Sequence, residues 1–501
     1  IGGADDSVPG IERALKDPDH FVRVKAVEAL EKLGRESSET TGALVASLKD
    51  DRVLVRREAA QFLAVMDSDR TATLPAIISA AKDPDEEVSL AAIQALPRFR
   101  ASSAEAARAL VEALRDQRKG IRLAAISSLQ ELGSNDAATV AALTSCLADP
   151  DDDVRLAAAT AIHFFKPGPE AVDPIVSAVA DKNVDIRSEI VSLLADFHED
   201  PRAIKALSAA LEDSEPVVRV QAVTAIGSIG PSARAVAPEL SKRLHDADPA
   251  VRQAAALALG GIRVESPGEI DVLATALRDR EVQVRVAATV ALAELGPAAS
   301  RAIRALTRGL NDSDPTVRVG AAVALGQIGS EAREAVPTLM ALLRNKDTTH
   351  RDAAAFALGR LGGEAKAAVP VLASMLRDKD ARTRQVAAFV LGQIGANAKE
   401  SISALVTAVK DRDTKVREVA IHALGEVGDH DPAVVRALAG ALKDQEEENR
   451  RRALKALGSF GAGAKSALPE IRTALLDRSG SVREAAADAL QKVEVGARRN
   501  P

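Results

Sequence analysis

An aspartate followed six residues later by an arginine recurs down this chain. Asp17/Arg23, Asp246/Arg252, Asp312/Arg318 and Asp411/Arg417 are four occurrences. A guanidinium presents a planar fork of donors that matches a carboxylate or a phosphate. A row of such forks could hold an anionic ligand, or it could tie each turn to itself or to the next. Recurrence favours the structural reading, because a feature needed in every unit belongs to the scaffold. The arginines are Arg23, Arg56, Arg122, Arg155, Arg187, Arg219, Arg252, Arg285, Arg318, Arg351, Arg384, Arg417, Arg450 and Arg483. Ser89 takes the place of one of them, and Asn345, before Arg351, takes the place of one aspartate.

Other reactive residues are sparse. The histidines, His20, His163, His198, His245, His350, His422 and His430, are scattered, with no His-x-x-x-His or Cys-x-x-Cys pair that would hold zinc. The single cysteine, Cys146, stands where neighbouring units place an apolar helix residue, so it is expected as a small buried hydrophobe. Arg450, Arg451, Arg452 and Lys455 make the densest basic cluster, but they follow the acidic run Asp-Gln-Glu-Glu-Glu-Asn and are expected on a solvated face. No catalytic, cofactor-binding or metal-binding set emerges, and the chain is expected not to be an enzyme.

The elements that carry these residues follow from one period. The arginine spacing is 33 residues, except for two steps of 32 from Arg155 to Arg187 and from Arg187 to Arg219. About fifteen such units fill the chain, and self-similarity at this period marks a solenoid. Each unit predicts two helices. Val317, Ala321, Ala324, Leu325 and Ile328 fall on one face of the second, and Gly329 follows as a stop. Leu339, Leu342 and Leu343 stripe the first, with Pro337 early, where a missing N–H is tolerated. An early proline recurs at Pro9, Pro75, Pro174, Pro238, Pro370 and Pro469. Asp-Pro at Pro18, Pro84, Pro150, Pro249 and Pro315 separates the two helices, since a residue before proline avoids the helical region. With 47% apolar residues, only 2% aromatic and neither Trp nor Tyr, the core must be Ala, Leu, Val and Ile. Such small side chains suit thin stacked layers. The expected fold is therefore all-α, a right-handed α-α superhelix over 1–501. Layers at about 8–10 Å would give an arc on the order of 120–150 Å. Residues 1–162 form repeats 1–5, 163–212 an irregular region around repeat 6, and 213–501 the regular repeats 7–15.

The Asp turn, the Val-Arg, the Ala-rich helix and the Leu-Gly-x-Ile-Gly ending resemble the HEAT-repeat family. They resemble in particular the short HEAT-like repeats also found in phycobilin lyases. The resemblance implies an armadillo-type solenoid, and for function it implies little, because the fold serves scaffolds, transport adaptors and a few enzymes. Deoxyhypusine hydroxylase, an iron enzyme of this family, carries several His-Glu dipeptides, whereas this chain has only His198-Glu199. The HEAT-like DNA glycosylases would need stacking aromatics that Trp and Tyr would supply.

Function is then sought where the repeats depart from their average. In related repeats the second helix lines the concave surface, and the fifth residue after the arginine is usually polar. Here that position reads Leu257, Val290, Val323, Phe356 and Phe389 in repeats 8 to 12, with Val286 and Val319 widening the strip. Further on it becomes His422, Lys455 and Asp488, and earlier it is Ser127, Thr160, Ser192 and Thr224. Five apolar layers predict a groove for a protein or peptide partner, unless curvature buries the strip. Leu90, Leu123, Leu156 and Val220 form a second, weaker strip. Pro167 and Pro169 are expected to break helix and change the inter-repeat angle.

The expected function is a non-catalytic protein-binding scaffold. The alternatives are a spacer in a larger assembly with end-to-end contacts and, less favoured, a bilin-lyase-like or other HEAT-repeat enzyme. No cofactor is expected. Nucleic acid is disfavoured by a net charge of −6. No run of about 18 apolar residues is found, so membrane insertion is not expected. A soluble, cytoplasmic chain is favoured. The first residue is Ile1, so a targeting segment could have been removed.

Overall fold

Every second helix needs its first-turn N–H groups satisfied, and for many of them the sequence supplies an aspartate or asparagine for that task. In the computed structural model, which describes residues 8–33, 38–65, 70–99, 103–345, 347–428 and 431–499, Asp85, Asp151, Asn183, Asp248, Asp314, Asp347, Asp380 and Asp413 cap second helices. Their side-chain oxygens accept from backbone N–H groups two or three residues on. Gly34 and His430 lie outside the described residues. Thirty α-helices and no strand are present among the described residues, alternating as the first and second helix of fifteen repeats.

The Asp-Pro signal has two registers. Pro84 and Pro150 sit in the turn, ahead of the capping residue. Pro249 and Pro315 are instead the first residues of Pro249–Gly261 and Pro315–Ile328, directly after their caps, where the missing N–H costs nothing. Pro337, Pro370 and Pro469 occupy the second position of first helices, as the pattern predicts. Pro75 does not, since it lies inside Arg70–Ala80.

The predicted face is the buried one. Val317, Ala321, Ala324 and Leu325 have no accessible surface, and Ile328, Leu339, Leu342 and Leu343 are buried with them. Gly296, Gly329, Gly362, Gly395 and Gly461 take positive φ at second-helix ends. From each, a seven-residue 3₁₀ turn, such as Gly329–Ala335 or Gly362–Ala368, leads to the next first helix. The joins earlier in the chain are shorter: Leu96–Arg98, Pro169–Ala171 and Ala195–Phe197. Pro167 and Pro169 interrupt no helix. Asp152–Phe165 ends on Lys166, whose φ is 48°, and both prolines fall in the link before Val172–Ala178. The irregular sequence thus falls in the link, residues 166–171, while the helix pair persists.

The chain divides into two compact units, Ile1–Ile226 and Gly227–Pro501. Within the second, neighbouring second helices meet through glycine. A methyl group on Gly260 would stand 2.9 Å from Ala291 Cα, one on Gly392 3.2 Å from Ala423 Cα, and one on Gly458 3.1 Å from Ala489 Cα. The bare backbone of one helix therefore rests on the alanines of the next. Val282–Gly309 has a mean hydropathy of 1.2 in its most apolar window, yet half of that window is buried in the stack. Gly296, with φ 54°, and Pro297 divide the stretch into two helices joined by a 3₁₀ turn, and it carries Glu294, Arg301, Arg304 and Arg308.

Candidate functional site

The apolar strip lies on five consecutive second helices of the second unit: Pro249–Gly261, Val282–Leu295, Pro315–Ile328, Thr348–Leu361 and Ala381–Ile394. Each helix buries the residues three and four places after its arginine, for example Ala255 and Ala256, which turns the fifth outward. Leu257 and Val290 are each 40% exposed, Phe356 37% and Phe389 45%. Val323, Val286 and Val319 are half-buried. The Phe356 ring lies over Gly326 of the preceding helix and Phe389 over Gly359, so glycine provides the floor for both rings.

Between the two phenylalanines is a pocket of about 300 Å³, lined by Asp352, Ala355, Phe356, Arg382, Gln385, Val386, Phe389 and Val419. Its rim is polar: Arg382 meets Asp352 at 2.6 Å, and Gln385 Nε2 donates to Asp413 at 3.3 Å. The next two helices continue the row with exposed His422 and Lys455, which line a smaller pocket of about 180 Å³ with Glu426 and Arg452. The weaker strip, Leu90, Leu123, Leu156 and Val220, is half-buried throughout.

The arginine row is a ladder with two kinds of bond. The guanidinium groups donate to the backbone carbonyl six residues earlier, in their own turn: Arg23 to Asp17 at 2.8 Å, Arg252 to Asp246 at 3.0 Å, Arg417 to Asp411 at 3.0 Å and Arg351 to Asn345 at 2.9 Å. Arg318 donates likewise to Asp312. The same guanidinium then grips the carboxylate of the following repeat, in pairs such as Arg23–Asp50 (2.7 Å), Arg252–Asp279 (2.7 Å), Arg285–Asp312 (2.9 Å) and Arg384–Asp411 (2.8 Å). Burial would raise the Asp411 carboxyl, but the Arg384 hydrogen bonds and the Asp413 N–H outweigh it, and the net shift is downward. Asp279, Asp213 and Asp181 shift the same way for the same reasons. These guanidinium groups are committed to the stack, which leaves little of them to hold an external anion.

Two rungs differ. Where Ser89 replaces the arginine, Arg118 reaches in from the following turn. It donates to Asp83 O at 3.1 Å and to the Asp116 carboxylate at 2.7 Å, the two acceptors that an arginine at 89 would have used. Nothing in the repeat pattern pointed to Arg118; only a basic residue two places past the Asp116 position hinted at it. Where Asn345 replaces the aspartate, Arg318 Nε donates to His350 Nε2 at 2.8 Å, and His350 is only 3% exposed. Arg351 turns toward Asp380 at 3.6 Å.

Cys146 is buried and free, and burial, reinforced by Asp149, pushes its thiol up to about 11. The basic cluster is absorbed by neighbours: Arg450 pairs with Asp477, Arg451 with Glu448, and Arg452 with Glu418 and Glu448. His198 and Glu199 are both exposed and 4.0 Å apart. No group of three His, Cys, Asp or Glu placed to hold a metal is found among the described residues. Exposed apolar residues that the repeat pattern did not single out include Phe21, Phe164, Val217 and Leu476.

A family model of HEAT repeats matches nine overlapping segments, 2–64, 41–130, 74–163, 140–219, 204–293, 270–359, 303–392, 369–447 and 435–499. The chain belongs to the HEAT-repeat family. No curated protein matches it. Among solved structures it is similar to a mutant of the karyopherin Kap121p, with TM-score 0.50 and 15% identity over 97% of this chain and 65% of that one. It is also similar to importin beta, with TM-score 0.48 and 14% identity over 98% of this chain and 79% of that one. A third is Kap121p bound to the extreme C-terminus of the protein phosphatase Cdc14p, with TM-score 0.48 and 15% identity over 97% and 65%. The chain thus spans about 65% of the length of the Kap121p chains it matches. At these identities the likeness is one of fold.

Proposed function

We propose that this HEAT-repeat chain is a non-catalytic scaffold that binds a protein or peptide along the second helices of repeats 8 to 12. The observation that carries the reading is the register of Leu257, Val290, Phe356 and Phe389: exposed apolar side chains at one position on neighbouring helices. A row of this kind supplies alternating apolar sites at the helix spacing, and the pocket between the phenylalanines suits one anchoring side chain. The Asp352–Arg382 pair at its edge gives a polar rim.

The test is a peptide library panned on the intact chain, with the selected peptides measured by calorimetry. Phe356→Glu with Phe389→Glu is expected to weaken binding at least about tenfold, as loss of buried aromatic anchors does. Phe164→Glu, which removes an exposed phenylalanine of the first unit, is expected to leave it unchanged. Selected peptides indifferent to the double substitution would dismiss the groove.

A further inference from the structure

At one rung the stack trades a carboxylate for an imidazole. The repeat holding Arg318 is followed by Asn345, and Arg318 Nε donates instead to His350 Nε2, 2.8 Å away. A nitrogen that accepts a hydrogen bond carries no hydrogen. The ring is therefore neutral, with its hydrogen on Nδ1, which lies 3.1 Å from Asp347 Oδ2 but makes no hydrogen bond to it. His350 is nearly enclosed, at 3% exposure. The groups around it come from three directions. Arg318 faces it from Pro315–Ile328, and Asp347 caps its own helix, Thr348–Leu361. Beyond them, Arg351 lies against Asp380 at the start of Ala381–Ile394, and the first helix, Val336–Leu342, is followed by the neutral Asn345.

We propose that His350 makes the joint between Pro315–Ile328 and Thr348–Leu361 sensitive to pH. A second proton can go only to Nε2, the atom that receives the guanidinium. The rung then changes from donor and acceptor to two cations, and it opens. Every ordinary rung keeps its carboxylate across the same interval, so the stack loosens at one place. The same two helices also meet where the Phe356 ring rests on Gly326. The sensitivity stands whether or not the strip takes a partner.

Hydrogen exchange of the intact chain between pH 8 and 5, corrected for intrinsic rates, reads the joint directly. Protection in 315–328 and 348–361 is expected to fall roughly tenfold or more as pH drops, the scale of losing a hydrogen bond to a charged group. Protection across the Arg384–Asp411 joint is expected to hold in the same samples. In His350→Gln the pH dependence should vanish. Asn345→Asp, which restores the ordinary carboxylate, should flatten it even if the glutamine variant folds poorly. Unchanged protection in the wild-type chain, or equal loss in every variant, would overturn the proposal.

Discussion

The second helices of the two units meet in different ways, and the contrast turns on one position, eight residues after the ladder arginine. In the second unit that position is Gly227, Gly260, Gly326, Gly359, Gly392, Gly425 and Gly458, with Ala293 and Gln491 as exceptions. At Gly227, Gly260, Gly392 and Gly458 the backbone comes up against an alanine of the neighbouring helix, while Gly326 and Gly359 lie under the rings of Phe356 and Phe389. In the first unit the same position holds Glu31, Ala64, Pro97, Gln130, His163 and Ala195, and no glycine. His163 bridges outward, with Nδ1 3.0 Å from Glu189 Oε1 and Nε2 3.7 Å from Asp196. One repeat frame therefore supports a bare joint and a polar, side-chain joint. Phe356 and Phe389 stand over Gly326 and Gly359, where glycine leaves room for each ring against the preceding helix.

The largest effect should come from filling a bare joint. Gly260→Leu places its side chain against Ala291 and is expected to cost about 3 kcal/mol. His163→Leu, at the matching position of the first unit, should cost less than about 1 kcal/mol, because the pair it removes is half-exposed. Urea unfolding followed by hydrogen exchange of each helix separates the two, and equal costs would erase the contrast.

Next come the rungs. Arg384→Ala leaves Asp411 without its charge partner and is expected to cost about 2–3 kcal/mol. Arg118→Ala should cost about 1–2 kcal/mol, since this pair is more open to water. Ser89→Arg should recover most of that loss in the Arg118→Ala background and add little alone. A double-mutant cycle by denaturant titration measures the coupling.

The ladder also sets an acid limit for both units. Asp50, Asp181 and Asp213 in the first, and Asp279, Asp411 and Asp477 in the second, all have lowered carboxyls. A lowered group contributes its stability fully above the unfolded aspartate value, about 3.9, and loses it as pH falls through the folded value. Thermal midpoints should therefore be insensitive to this row at neutral pH and should fall steeply below about pH 4.

The smallest effect has the opposite sign. Gly440 lies in the first helix Pro432–Ala441 with nothing within 4 Å of where a Cβ would stand. Gly440→Ala should stabilise by up to about 1 kcal/mol. A loss there, measured by the same titration, would mean that glycine serves more than close approach in this unit.

Much of this was legible in the chain itself. The 33-residue period, the helix pairs, the buried face of Val317, Ala321, Ala324 and Leu325, and the glycine stops all follow from local rules, because helix periodicity and capping act within one repeat. The register of the apolar row was legible for the same reason. Its exposure was not, because accessibility depends on how closely the next helix approaches. The prolines at 167 and 169 misled, since a proline breaks a helix only if the chain would otherwise be helical there, and Lys166 had already ended it.

Sequence alone thus determined that this is a stack of helix pairs and which side each helix buries, since both are settled by contacts three or four residues apart. Only the tertiary structure decided what each ladder arginine holds. The choice between its own turn and the next repeat is a matter of reach across a joint, and the guanidinium is long enough to take both. The same reach let Arg118 supply the fork that Ser89 lacks, and let His350 stand in where Asn345 carries no charge.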